Sequence, residues 1–292
     1  MRIAIATAAG VPEQFRDDHL LIAALRERGA EAERPRWDDP RVDWAGFDLV
    51  VIRSTWDYTW RRDEFVAWAD ALGARLHNTP ELVRWNTDKR YIADLAGSGV
   101  PVVETTYVAP GDPVPPIGHE VVVKPTVSAG GRNTGRFRAD MHAEAAELIG
   151  AIGASGGTAM VQPYLDSVGA SGEAALAYVD GRFSHGLRKG VVLTGVGVAP
   201  TRDDNVGAAE TMYAPDFVKA AEPDEDELAV AGAIVDWLGR RFGTPLYARV
   251  DLARDGAGDP ILLELEATEP NLYLELVPES IGGLADAILA RS

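Results

Sequence analysis

The residues best suited to chemistry lie near the end of the 292-residue chain. In Ile261-Leu262-Leu263-Glu264-Leu265-Glu266 the odd positions are apolar. Strand side chains alternate, so Glu264 and Glu266 share the other face. Residues 247–253 read as the partner strand, with Val250 and Leu252 on its apolar face and Arg249 and Asp251 opposite. Aligning the apolar faces pairs Val250 with Leu265 and Leu252 with Leu263. Asp251 then falls opposite Glu264, and Arg249 opposite Glu266. Like charges facing each other destabilise a sheet, so this patch calls for a cation. Carboxylate oxygens suit Mg, which binds through one or two carboxylates plus substrate phosphates. Two such ions roughly 3.5–4 Å apart would fit a bridging carboxylate. Taken alone, the patch reads equally well as a solvated strand face with Arg249 paired to Glu266.

A second group is Lys124 and the loop after it, Pro125-Thr-Val-Ser128-Ala-Gly130-Gly131-Arg-Asn-Thr-Gly135. A Lys ending an apolar strand before a Gly-rich loop makes a phosphate cradle: glycines let backbone N–H groups approach oxygens and Lys adds a point charge. The Lys precedes the glycines, so this is neither a Walker loop nor the dinucleotide fingerprint. A flexible hairpin tip is the plainer alternative. A third group, Gln162-Pro163-Tyr164-Leu165, leaves a strand as a non-helical connector that could present backbone groups to an adenine edge, or be an ordinary loop.

The elements that must position these groups alternate. Residues 2–8 and 48–52 read as buried strands, and 17–28 and 65–72 as helices, the order of an open α/β lobe over 1–80. A second lobe, 81–165, has a helix over 88–96, strands over 102–108, 120–124 and 158–162, and a helix over 144–152. The third, 166–292, opens with a hairpin of 173–179 and 182–189 around Asp180-Gly181. Helices over 226–242 and 281–290 flank the hairpin described first. Residues 191–222 lack periodicity and read as a long loop, often a lid. Arg202, Asp203 and Asp204 within it read as solvated.

Composition narrows the partners. Hydrophobic residues make up 46%, enough for real cores, and no run approaches a membrane span. There is no cysteine, and a cytoplasmic protein is the expectation. With 28 Lys and Arg against 45 Asp and Glu, the net charge is −17, which disfavours nucleic acid. An acidic chain that binds an anion such as ATP must supply cations locally.

The order of the groups resembles the ATP-grasp superfamily over residues 80–292. Lys89 on a helix is followed by Lys124 with its Gly-rich loop, the hinge 162–165, Gly172-Glu173, then Arg188-Lys189, Ala248-Arg249-Val250-Asp251 and Leu263-Glu264-Leu265-Glu266. The resemblance implies an ATP-grasp fold of mixed α/β and α+β lobes, with nucleotide between two α+β lobes behind a preceding α/β lobe. It implies that Lys89 and Lys124 bind the phosphates under a loop that includes Ser128, Gly130 and Gly131. Gln162, Tyr164 and Leu165 would line the adenine pocket, with Glu173 near the ribose. Asp251, Glu264 and Glu266 would hold two Mg ions, and Arg249 would face the reacting phosphoryl; Lys189, which ends a strand facing the nucleotide, is a second catalytic candidate. Many members carry Asn where this chain has Glu266. Ile52-Arg53-Ser54-Thr-Trp56-Asp57-Tyr58 and Arg84-Trp-Asn-Thr-Asp-Lys89-Arg-Tyr91 resemble the branch containing the O-ureido-serine cyclo-ligase of cycloserine biosynthesis and glutathione-synthetase-like proteins. Such an enzyme would make an acyl phosphate from an amino-acid-like carboxylate and ATP for attack by nitrogen, either within one molecule or between two. A non-catalytic nucleotide binder is the remaining alternative, and homodimers are common in relatives. Arg53, at a strand end where open α/β sheets bind ligands, would clamp the substrate carboxylate, with Ser54, Asp57 and Tyr58 close behind. His185 reads as structural.

Overall fold

The computed structural model describes residues 1–12, 15–202 and 208–291; Asp203 and Asp204 lie outside the described residues. Its strands form three sheets. The first is parallel, in the order Glu31–Glu33, Arg2–Thr7, Leu49–Ser54, Leu76–His77. A parallel sheet needs cover on both faces, and every residue of Leu49–Ser54 is buried. Helix Arg62–Leu72 covers one face through Phe65, Ala69 and Leu72. On the other, Leu21 and Leu25 of helix Asp17–Glu27 share a core with Leu284 and Ile288 of the terminal helix Ser280–Leu289. The two ends of the chain are thus packed together.

The second sheet is antiparallel, in the order Gly197–Val198, Gly135–Phe137, Val121–Pro125, Ala159–Pro163, Thr106–Val108. Val121 and Val123 pack on helix His142–Ala154, so the alternate residues Val122 and Lys124 point the other way. The third sheet is also antiparallel: Val218–Ala220, Arg182–Lys189, Glu173–Val179, Tyr247–Arg254, Pro260–Glu266. Helix Glu225–Phe242 begins with an Asp224/Glu227 capping box and lays Ala231, Ile234 and Leu238 on its back. At the first hairpin Asp180 and Gly181 both have positive φ, 51° and 72°, as a tight two-residue turn requires.

Four expectations change. The last hairpin pairs Val250 with Leu265, Asp251 with Glu264 and Arg249 with Glu266, but a bulge after Asp251 sets Leu252 opposite Leu262. The extra residue, Leu263, is left to face the cavity described below. Lys89 is not on a helix: it sits in a turn between helices Pro80–Asn86 and Tyr91–Gly97. There the Asp88 carboxylate accepts the Arg90 N–H at 3.0 Å, and the Lys89 N–H donates to the Thr126 carbonyl at 2.8 Å, which ties Lys89 to the end of the Lys124 strand. The strand expected over 102–108 shrinks to Thr106–Val108, because Val102 and Val103 instead join Leu262. Residues 191–222 contain Gly197–Val198 and Val218–Ala220, edge strands of different sheets, and a 3₁₀ turn at Glu210–Tyr213.

Two buried asparagines fasten the end of the Glu264–Glu266 strand. Asn78 donates to the carbonyls of Tyr247 and Ala267 at 2.8 and 2.7 Å and accepts from the Leu246 N–H at 2.6 Å. Asn86 donates to the Leu265 carbonyl at 2.8 Å and accepts from the Ala267 N–H at 2.7 Å. Removing either would orphan several buried backbone groups. Asn78→Ala is expected to lower unfolding free energy by roughly 2–5 kcal/mol in urea titrations followed by Trp fluorescence; a loss under about 1 kcal/mol would mean that water replaces all three bonds.

Candidate active site

The facing sides of the second and third sheets, with part of the first lobe, enclose a cavity of about 490 Å³. Strand alternation puts Val122 and Lys124 into it from one sheet, and Glu173, Lys189, Arg249, Glu264 and Glu266 from the other. Pro163, Tyr164 and Leu165 form a largely apolar end with Leu263 and Leu193. Gln162 lines the same end but is 3% exposed, its amide spent on the Thr105 hydroxyl at 2.9 Å. Arg136 covers the Tyr164 ring at 3.5 Å and pairs with Glu120.

The middle of the cavity is a network of charges. Lys189 lies 2.8 Å from Glu173 and 2.7 Å from Asp251. Arg249 grips both Asp251 oxygens at 2.8 Å, pairs with Glu266 and donates to the Asn271 carbonyl at 2.8 Å. Lys89 sits 3.3 Å from Glu264 and donates to the Ser128 carbonyl at 2.6 Å. Burial opposes ionisation throughout, and the partners decide the outcome. Against it, Arg249 and Lys189 hold Asp251 well below the usual carboxylate range, while Asp251 and Glu173 hold Lys189 above its own. Lys89 and Lys124 likewise lower Glu264 against its burial. Lys124 itself is lowered by burial, with Lys89 and Lys189 as like neighbours. Glu266 goes up to about 7, pushed by burial and by Asp251 and Glu264, against the pull of Arg249.

The donor set Asp251, Glu264 and Glu266 is all oxygen, the chemistry Mg takes. Among the described residues no three such groups yet converge at ligand distances. Arg249, Lys189 and Lys89 instead neutralise the acids one by one.

The Gly-rich loop lies across this middle. Ser128, Gly130 and Gly131 line the cavity beside Val192, Ala208 and Met212 of the long loop. The Ala209 N–H donates to the Gly130 carbonyl at 2.7 Å. Gly130 has φ +65°, and a Cβ there would meet that of Ala208 at 2.8 Å, so only glycine fits the approach. Arg132 donates to the Trp56 carbonyl at 3.1 Å and to the Thr59 hydroxyl, and lies over the Trp60 ring at 4.1 Å.

Of the first-lobe candidates, only Tyr58 lines the cavity. Arg53 is 1% exposed over the Tyr247 ring, and none of its three nitrogens has a hydrogen-bond partner among the described residues. Ser54 bonds the Thr7 hydroxyl at 2.6 Å, and Asp57 accepts from the Trp37 indole at 2.8 Å and pairs with Arg61. Their strand is buried on both faces, so the residues at its tip are drawn inward and the expected carboxylate clamp is absent from the cavity wall. His185 bonds the Ser184 hydroxyl and the Leu272 carbonyl and is structural, as expected. The sequence reading missed Glu269. It follows the last strand, 9% exposed in the cavity wall, where strand alternation no longer assigns a face. The Trp56 indole donates to its carbonyl at 3.2 Å, and burial with Glu266 nearby pushes its carboxyl up to about 8, against the pull of Lys89 and Tyr58.

Residues 3–78 match the model of the D-cycloserine synthetase DcsG, N-terminal domain. Over 98% of its length the chain is 36% identical to the cycloserine biosynthesis protein DcsG of Streptomyces lavendulae, spanning 97% of that protein. The crystal structure of D-cycloserine synthetase DcsG superposes with a TM-score of 0.85 at 34% identity, covering 100% of this chain and 99% of that one. D-alanine–D-alanine ligase from Bacillus anthracis complexed with ATP aligns at TM-score 0.69 and 15% identity, over 100% and 96% of the chains. A RimK domain protein ATP-grasp from Sphaerobacter thermophilus aligns at 0.65 and 19%, over 99% and 100%. These last two likenesses are of fold. No helix of the described residues is long and apolar enough to cross a membrane.

The raised Glu269 has a consequence for stability. Its folded value of about 8 lies above the ordinary 4.5, so between these pH values the folded protein holds a proton that the unfolded chain releases. Stability therefore falls as pH rises through that window and the loss is complete above it. Glu269→Gln removes the penalty. In ligand-free protein, the variant is expected to gain about 1–3 kcal/mol on the wild type between about pH 5 and pH 9, by urea unfolding at each pH. A difference that does not change with pH would show that Glu269 ionises freely.

Proposed function

We propose that this chain, which belongs to the D-cycloserine synthetase family of ATP-grasp ligases, cyclises O-ureido-D-serine to D-cycloserine with consumption of ATP. The observation that carries the reading is that one cavity gathers apolar residues, a cluster of Lys and Arg with hard carboxylates, and a further stretch lined by Phe15, Trp56 and Tyr58 of the first lobe. The first fits an adenine, the second a triphosphate, the third a small polar acid.

In this reading Lys89 and Lys124 bind phosphates under Ser128, Gly130 and Gly131. Tyr164 and Leu165 hold the adenine, Gln162 supports that wall, and Glu173 lies toward the ribose. Asp251, Glu264 and Glu266 would hold two Mg ions with the phosphates, which supply charge neutralisation there. Arg249 and Lys189, released from those acids, turn to the transferring phosphoryl. The substrate carboxylate attacks the γ-phosphorus and ADP leaves. The nitrogen bonded to the side-chain oxygen then attacks the acyl carbon, inorganic phosphate departs with the nitrogen's proton, and water removes the carbamoyl group as carbon dioxide and ammonia. The chain's part is positioning, charge and exclusion of water from the acyl phosphate. An intermolecular carboxylate–amine ligase would use the same nucleotide site.

The test is incubation with ATP, Mg and O-ureido-D-serine, with nucleotide chromatography and mass spectrometry. ADP and cycloserine are expected without any added amine. ADP release only when a second amino acid is supplied would transfer the assignment to the intermolecular ligase, and AMP would exclude both.

Glu264→Gln keeps shape but removes a charge from the acid patch. Turnover is expected to fall on the order of 10²-fold with the fold intact, and the Mg dependence to shift. An active variant with unchanged Mg requirement would reduce Glu264 to a pairing partner of Lys89.

A further inference from the structure

The cavity is graded in charge along its length. Its lining cations are Lys89, Lys124, Lys189 and Arg249, all at the middle, and each but Lys124 is ion-paired to an acid there. Beyond them, toward the first lobe, the wall holds a different set. Phe15 meets Trp56 edge-on at 4.8 Å, the Trp56 indole donates to the Glu269 carbonyl at 3.2 Å, and Tyr58 lines the same wall as Glu269. Among the described residues Glu269 makes no ion pair, although it is 9% exposed. Without an ion pair it keeps its proton near neutral pH, and a cation brought against it from outside the chain would supply the counter-charge that lets it ionise on the cavity wall.

We propose that the Glu269 carboxylate is the anchor for the α-ammonium group of the substrate, steadied by Tyr58 and flanked by the rings of Trp56 and Phe15. The proposal rests on the amino-acid reading above and adds the residue that selects and aims the substrate. A zwitterion lying between the central cations and Glu269 has one favourable direction. Its carboxylate faces Lys and Arg, where the γ-phosphoryl arrives, and its ammonium faces Glu269. Reversal would set like charges together at both ends, which a low-dielectric cavity punishes. Aromatic faces beside the ammonium add cation–π attraction. Trp56, which holds the Glu269 backbone, and Tyr58 beside it both belong to the first lobe, so that lobe acts on the substrate through this acid. Arg53 of the same lobe is enclosed and takes no such part.

The test compares O-ureido-D-serine with 3-(ureidooxy)propanoate, the same acid without its amino group, by calorimetric titration in the presence of ADP and Mg, alongside ADP release. The wild type is expected to prefer the amino acid by about 10- to 100-fold, the range of a hydrogen-bonded charge pair. Glu269→Gln should lose that preference by weakening the amino acid alone, with the propanoate and KM for ATP within about twofold, and Glu269→Asp should recover part of it. A merely structural acid would weaken both ligands alike, and that result overturns the proposal. Should Glu269→Gln not fold, Tyr58→Phe carries the test: a several-fold selective loss supports the anchor, and an equal loss of both ligands overturns it. If the wild type releases no ADP with any amino-acid carboxylate, the cyclo-ligase reading falls and this anchor with it. Normal wild-type turnover with discrimination intact in Glu269→Gln removes the anchor alone.

Discussion

Asp251 is wholly enclosed and ionised, and that state depends on two cations, Arg249 on its own strand and Lys189 from the strand beyond. Leaving such a charge unpaired would cost several kcal/mol. The pairing therefore fixes more than one side chain. Lys189 also holds Glu173, Arg249 also holds Glu266 and the Asn271 carbonyl, and Lys89 reaches Glu264 from the second helix pair. Strands 173–179, 182–189, 247–254 and 260–266 and the turn at Lys89 are thereby held in register around one carboxylate. The network is internally neutralised; under the proposed function a triphosphate with its ions would offer the same groups new partners of opposite sign. The site would then exchange one set of pairs for another, with the groups already gathered for both.

The hydrophobic packing supports that arrangement from two sides. Helix Glu225–Phe242 braces the back of the third sheet, and the helices around Lys89 add Leu82, Tyr91, Ile92 and Leu95 to the same core. The Tyr91 hydroxyl accepts the Leu265 N–H at 2.8 Å, and Asn86 takes the next backbone groups. The segment 84–91, which carries the resemblance to the cyclo-ligase branch, thus works mainly as a scaffold: it sets the height of Glu264 and Glu266 over the cavity.

Much of this was legible in the residues because it obeys simple periods. Alternation alone oriented Asp251, Glu264 and Glu266, and paired Arg249 with Glu266 across the hairpin. Apolar spacing located the helices covering both faces of the first sheet. What escaped was decided by contacts between distant segments. The bulge at Asp251 depends on no residue type that marks it. Lys89 was expected on a helix because the apolar spacing of 91–96 extends backward to it, whereas a bond to Thr126 interrupts the helix. Arg53 was expected in the site because strand tips in open sheets often bind ligands, but here the third lobe closes over that tip, with Tyr247 stacked upon it. Glu269 lies in irregular chain, where no period assigns a direction.

Arg132 joins the Gly-rich loop to the Trp56 carbonyl and the Thr59 hydroxyl, and rests on Trp60. Under the proposed function the covering over the phosphates and the wall beside the amino acid would consequently be one mechanical part. Under the proposed function neither compartment would open while the clasp holds, so an activated acyl group formed in one would not meet bulk water through the other. In the proposed reaction traffic would then be gated as a single event: spent nucleotide and product would share a departure, and a turnover that stalls halfway would keep its reactive intermediate sequestered.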